Sequence, residues 1–115
     1  MAVAEGSGRG LPTDFAEEVL DLVAEIPPGL VLTYADVAEI VGRGGPRGVG
    51  NVMARFGGDV PWWRVLRSGG LPPRGLEDRA IAHYRQEGTP LVGGPLTGRR
   101  VDLARARWAG PGAPG

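Results

Sequence analysis

The 115-residue chain contains no cysteine, no lysine, one histidine (His83) and two serines (Ser7 and Ser68), and these gaps exclude chemistry before any motif is read. Without a thiol there is no disulfide framework, no thiolate nucleophile, no Cys-ligated zinc and no iron–sulfur cluster. Without lysine there is no Walker-type phosphate loop, no Schiff base and no attachment point for pyridoxal phosphate. A lone histidine offers no pair at metal-ligand spacing, and two serines offer no credible Ser-His-acid set. The chain therefore reads as a binder rather than a catalyst, with no cofactor and no metal expected. No apolar run approaches the roughly 18 to 20 residues that span a bilayer, and the first residues carry neither a basic region nor an apolar signal segment. A cytoplasmic location and no membrane partner are the expectations.

Glycine, proline and arginine are abundant instead. The 21 glycines and 11 prolines call for many turns, while 42% hydrophobic residues suffice for one modest core in one domain. The formal net charge of zero hides a segregation. Residues 1–42 hold eight acidic residues against one arginine, and residues 43–115 hold twelve arginines against five acidic residues. A high-GC coding bias accounts for arginine in place of lysine but not for this polarity. A one-sided arginine-rich half suits an anion-binding face, and nucleic acid is the commonest large anion of a cytoplasm.

Residues 1–12 lack periodicity and read as a flexible leader to a domain spanning 13–108, with a disordered tail over 109–115. Thr13 caps a first helix that carries Asp14, Glu17 and Glu18 at its positive end and Phe15, Val19, Leu22, Val23 and Ile26 at helical spacing. Pro27-Pro28-Gly29 stops it. After a short extended segment, Thr33 and Asp36 make a capping pattern for a second helix that ends near Val41, with Gly42 as its C-cap. Pro46 opens a third helix with Val49, Val52, Met53 and Phe56 inward and Arg47, Gly48, Asn51 and Arg55 left for the other side. Two short helices joined by glycines read either as a helix-turn-helix or as an ordinary αα-hairpin. Residues 60–66 read as extended, Ser68-Gly69-Gly70 as a turn and 71–75 as a proline-rich loop. A fourth helix from Leu76 to Glu87 turns Ile81 and Tyr84 inward. The apolar pairs around 91 and 102 flank a glycine-rich stretch that suits a hairpin or wing.

Adjacent tryptophans, Trp62 and Trp63, are the least ordinary feature. Alternation along an extended segment would send one ring to the core and leave the other to line a cleft, where an indole stacks on a base or a guanidinium. Tyr34, just after a helix cap, reads either as a phosphate contact or as a hydrophobic staple. Arg47 projects from the start of the third helix, the end that contacts DNA in a helix-turn-helix. His83 is assigned to solvent, without a role.

In order along the chain stand Val31-Leu32-Thr33-Tyr34-Ala35-Asp36-Val37-Ala38, Pro46-Arg47-Gly48-Val49-Gly50-Asn51-Val52-Met53, Val60-Pro61-Trp62-Trp63-Arg64-Val65 and Ser68-Gly69-Gly70-Leu71. Together these segments resemble the DNA-binding, active-site domain of the O6-alkylguanine-DNA alkyltransferase family, over roughly residues 14 to 95. The resemblance implies a fold that is mainly α with a small β component, a winged helix-turn-helix-like domain. In the family's enzymes a Pro-Cys-His-Arg-Val segment supplies the alkyl-accepting cysteine. Here the matching residues are Pro61-Trp62-Trp63-Arg64-Val65, and tryptophan in place of the acceptor cysteine resembles the alkyltransferase-like branch, whose members bind alkylated guanine without removing the group and flag it for nucleotide excision repair. An indole accepts no methyl group under mild conditions, so no methyl transfer is expected.

By the same resemblance Tyr34 engages the phosphate of a flipped nucleotide and Arg47 is an arginine finger entering through the minor groove. Gly48 and Gly50 keep the inserted helix thin beside Asn51, and Trp62, Trp63 and Arg64 join Tyr34 in a lesion pocket. The partners implied are duplex DNA containing alkylated guanine and nucleotide excision repair proteins. The chain is expected to act as a monomer of bacterial type, nucleoid-associated when bound. Trp63 replaces the histidine that activates the thiolate, and residues 55–59 lack the asparagine that supports the enzymes' active site. Arg74 is the candidate for closing the pocket from the loop. A helix-turn-helix regulator without lesion specificity is the alternative reading.

Overall fold

The computed structural model describes residues 13–112. The leader expected over 1–12 and the last three residues of the expected tail lie outside them. Helix α1 (Asp14–Glu25) starts where the Thr13 hydroxyl accepts the Ala16 N–H at 3.1 Å, and its acidic residues line the exposed side while Ala16, Val19, Leu22 and Val23 are buried. Strand β1 (Leu32–Thr33) leads directly into helix α2 (Tyr34–Val41) through a complete capping box. The Thr33 hydroxyl accepts the Asp36 N–H at 3.0 Å, and the Asp36 carboxylate accepts the Thr33 N–H at 2.9 Å.

Gly42, in the left-handed region at φ 93°, closes α2, and a three-residue connector brings in helix α3 (Gly45–Phe56) with Pro46 in its first turn. Helices α1, α2 and α3 pack on one another around Val19, Val23, Val37, Val49 and Val52. Gly44 at φ 87° sits so close to the Phe15 ring that a β-carbon there would collide with it, which fixes the α2–α3 turn against α1.

Strand β2 (Val65–Leu66) pairs in parallel with β1, Leu32 beside Val65 and Thr33 beside Leu66. This two-stranded unit lies between the three-helix core and a second core, in which helix α4 (Glu77–Glu87) contributes Ala80, Ile81 and Tyr84 and the C-terminal chain contributes Leu91, Val101 and Ala106. The expected hairpin or wing is a single antiparallel bridge, Leu91 with Val101, followed by the short helix α5 (Leu103–Ala106). Three glycines and a proline in residues 91–101 leave few N–H and C=O pairs in strand geometry, so no ladder propagates. The chain after Val101 packs back on the domain. The Val31 N–H donates to the Ala106 carbonyl at 2.9 Å, the Trp108 N–H donates to the Val31 carbonyl at 2.8 Å, and Trp108 lies against the three-helix core. Of the expected tail, Gly110 is buried.

Residues 60–66 depart from the expected extended segment. Trp62–Arg64 form one turn of 3-10 helix after Pro61, and only Val65–Leu66 is strand. Successive side chains in such a turn rotate by a third of a circle instead of alternating, so the tryptophans sort themselves by a different geometry from the one their spacing suggests.

Candidate nucleic-acid interface

Helix α3 presents two faces to the outside. Arg47, Asn51 and Arg55, spaced one turn apart, are all exposed. Around the helix, Gly50, Met53 and Ala54 form one wall of a cavity of about 490 Å³, together with Tyr34 from the first turn of α2, Gly57 and Gly58, Trp62, and Arg67, Pro73, Arg74, Leu76 and Arg79 from the far side. A volume of this size holds a small heterocycle with a substituent. The lining pairs apolar surface from Met53, Trp62, Pro73 and Leu76 with three guanidiniums and no carboxylate.

Burial holds the Tyr34 phenol above its ordinary value while the Arg67 guanidinium pulls the other way, so the hydroxyl is protonated and able to donate at neutral pH. The Arg67 Nε–H donates to the Pro72 carbonyl at 2.7 Å, which fastens the proline-rich loop to the cavity mouth, and its guanidinium faces Glu77 at 3.6 Å. Arg79 lies 5.4 Å from the centroid of the Trp62 ring, within cation–π range.

Sequence reasoning named Tyr34, Gly50, Trp62 and Arg74, and the structure brings these four to one cavity. Gly48 is placed differently. Its missing side chain faces the Phe15 ring of α1, where a β-carbon would meet ring atoms at 3.4 and 3.5 Å, rather than the outer face that carries Arg47 and Asn51. Gly50 has open space where a side chain would stand.

Trp63 and Arg64, expected in the pocket, do not line it. The 3-10 turn that points Trp62 at the cavity carries both behind its wall towards α4. There the Trp63 indole N–H donates to Glu87 Oε2 at 2.8 Å. Arg64 forks onto both oxygens of the same carboxylate, at 3.1 Å from Nε and 2.6 Å from Nη2, and also reaches the Ile26 carbonyl at 2.8 Å. The Gly29 N–H donates to Glu87 as well, at 3.1 Å. Burial alone would push the Glu87 carboxyl up, but these donors outweigh it together and hold it below the usual carboxylate range. Tyr84, its phenol raised by burial, donates to the Trp63 carbonyl at 2.6 Å.

His83 is not the solvated residue that its charged neighbours suggest. Its ring stacks on Trp63 with centroids 3.6 Å apart and planes within 5°. Arg67, Arg79 and His83 were missed because they enter the site from a loop and from α4, and no local pattern says which helix face will meet the tryptophans. The spacing of Arg79, His83 and Glu87 at four-residue intervals on one helix is the signal that was available.

A cluster of three helices, two of them joined by a three-residue turn, thus carries a cavity flanked by the exposed arginine face of α3. The family model described as 6-O-methylguanine DNA methyltransferase, DNA binding domain, matches residues 14–89, and the chain belongs to this family. It is 36% identical over 99 residues to the DNA base-flipping protein of Escherichia coli (strain K12), covering 82% of this chain and 74% of that one. It is 32% identical over 102 residues to alkyltransferase-like protein 1 of Schizosaccharomyces pombe, covering 83% and 94%. In three dimensions it superposes on the crystal structure of S. pombe Atl1 in complex with damaged DNA containing O6-carboxymethylguanine, with a TM-score of 0.71 and 31% identity over 85% of this chain and 98% of that one.

Proposed function

We propose that this protein is a non-enzymatic sensor of O6-alkylguanine in duplex DNA. It enters the minor groove with α3, rotates the damaged nucleotide into the cavity between Tyr34, Gly50 and Trp62, and retains it with the alkyl group intact for nucleotide excision repair. The observation that carries this reading is Trp62 in the cavity wall of a chain without any thiol, at the position that the resemblance aligns with the family's acceptor cysteine. The indole supplies a broad apolar surface against an O6-alkyl group and no nucleophile. Arg47 fills the gap left by the extruded base, and the Tyr34 hydroxyl meets the rotated phosphate. The names of the relatives, a base-flipping protein and an alkyltransferase-like protein, support the same reading. The protein acts as a monomer in the cytoplasm, on the nucleoid when bound.

The experiment is fluorescence of 2-aminopurine placed at the target position of a duplex, since extrusion from the stack relieves quenching. A rise on adding protein, lost in the Tyr34→Ala variant, is expected, and unchanged fluorescence at saturating protein would refute flipping. The exposed stripe of Arg47, Asn51 and Arg55 favours a second reading, a helix-turn-helix regulator without lesion specificity, because arginine and asparagine are base readers.

A further inference from the structure

Three rings meet beside the cavity. Trp62 stands perpendicular to Trp63, with centroids 5.5 Å apart and planes at 89°, and nearly perpendicular to His83, at 5.8 Å and 84°, while Trp63 and His83 lie parallel. One stripe of α4 supplies the polar and aromatic partners that the two indole rings find outside the turn. Arg79 lies against the Trp62 ring, His83 one helical turn later stacks on Trp63, and Glu87 a turn beyond accepts the Trp63 N–H.

The two tryptophans are secured unequally. Trp63 is pinned by a directional hydrogen bond and by the Arg64–Glu87 ion pair around it, whereas Trp62 is held through ring and guanidinium contacts. Edge-to-face geometry is the orienting part of those contacts, because the positive ring edge prefers the negative face of its neighbour. The plane that Trp62 offers to a base is thus set by the Trp63–His83 stack behind it.

We propose that His83 is a positioning residue for the lesion pocket, fixing the plane of Trp62 through its stack on Trp63, with Arg79 and Glu87 at either end of the same α4 stripe completing the support. This rests on the reading of the cavity as the lesion site. The Trp-Trp sequence and the Arg79, His83, Glu87 spacing form one unit: the second tryptophan is the beam through which α4 carries the first.

The test compares His83→Leu, which keeps bulk without an aromatic plane, with His83→Phe, which restores the plane without the imidazole nitrogens. Each is measured for its affinity for an O6-methylguanine duplex relative to a guanine duplex, and by near-ultraviolet circular dichroism, which reports the asymmetric environment of the tryptophans. The leucine variant is expected to lose about fivefold of the preference and part of the dichroic signal. The phenylalanine variant is expected to recover both. Wild-type preference in His83→Leu, or a loss that His83→Phe fails to rescue, would overturn the proposal. If the native protein showed no lesion preference, the proposed function would fall, while the positioning role would still be decided by the dichroism: an unchanged signal in His83→Leu refutes it.

Discussion

Arg47 and Tyr34 occupy different surroundings, and their substitutions are expected to differ accordingly. Arg47 is exposed at the start of α3, where a planar guanidinium can replace a stacked base. Arg47→Ala is expected to weaken lesion binding by roughly thirtyfold, as for an interface anchor. Tyr34→Phe removes one hydroxyl from a half-buried ring whose packing survives, and a loss of about fivefold is expected. Titrations with lesion and undamaged duplexes check both, and equal, small losses on the two duplexes would contradict flipping.

Glu87 makes a different kind of prediction. Its side chain and that of Arg64 are 12% and 13% exposed, so Glu87→Ala leaves a guanidinium largely buried without its counter-charge, at a cost of about 3 kcal/mol. The folded carboxyl lies below its ordinary value, so its stabilisation is complete above the unfolded carboxylate pKa of about 4.3 and is lost as pH falls through the lower folded value. Thermal melts between about pH 3 and pH 7 should show the native protein well above Glu87→Gln at neutral pH, with the gap closing in acid. A gap independent of pH would contradict an ionised clamp.

At the level of elements, the capping box at Thr33 links stability to the site, because it places Tyr34 as the first residue of α2. Thr33→Ala removes one arm of the box and is expected to cost about 1 kcal/mol, a fall of roughly 4 to 8 °C in Tm for a domain of this size, measured calorimetrically. Such elements were legible in the sequence because caps, glycine stops and apolar spacing are local: Thr13, Thr33, Gly42, Pro46 and Gly88 mark helix boundaries by their own chemistry. The turn Trp62–Arg64 was not legible, since β-prone residues after a proline suit a strand as well as a 3-10 turn, and the carboxylate that receives Trp63 in the turn, Glu87, lies two dozen residues away. The candidate site divides in the same way. Tyr34, Gly50 and Trp62 come from recognisable segments, whereas Arg79 and His83 depend on how α4 docks. Gly70 shows the same dependence at the second core: at φ 85° it stacks so closely on the Val101 carbonyl that any β-carbon would collide, a constraint imposed by the returning C-terminal chain.

For the whole molecule, the segregation of charge along the chain becomes a difference between elements. The acidic residues of α1 are exposed on one element, while the cavity and the outer face of α3 carry arginine. Binding to DNA through the arginine face should weaken steeply with salt, as neutralised phosphates release counterions. Arg55→Ala, on the exposed stripe of α3, is expected to weaken lesion and undamaged duplexes alike and to lower the slope of log affinity against log salt by about 1. An unchanged slope would take Arg55 out of the interface. What separates a damage sensor from a basic DNA binder is discrimination, which neither net charge nor fold supplies. The most direct measurement is equilibrium binding, at one near-physiological salt concentration, to two duplexes that differ only in O6-methylguanine against guanine, with the DNA recovered and analysed afterwards. Tighter binding to the lesion with the methyl group still on the guanine is the predicted result; equal affinity for the two duplexes, or loss of the methyl group, would contradict it.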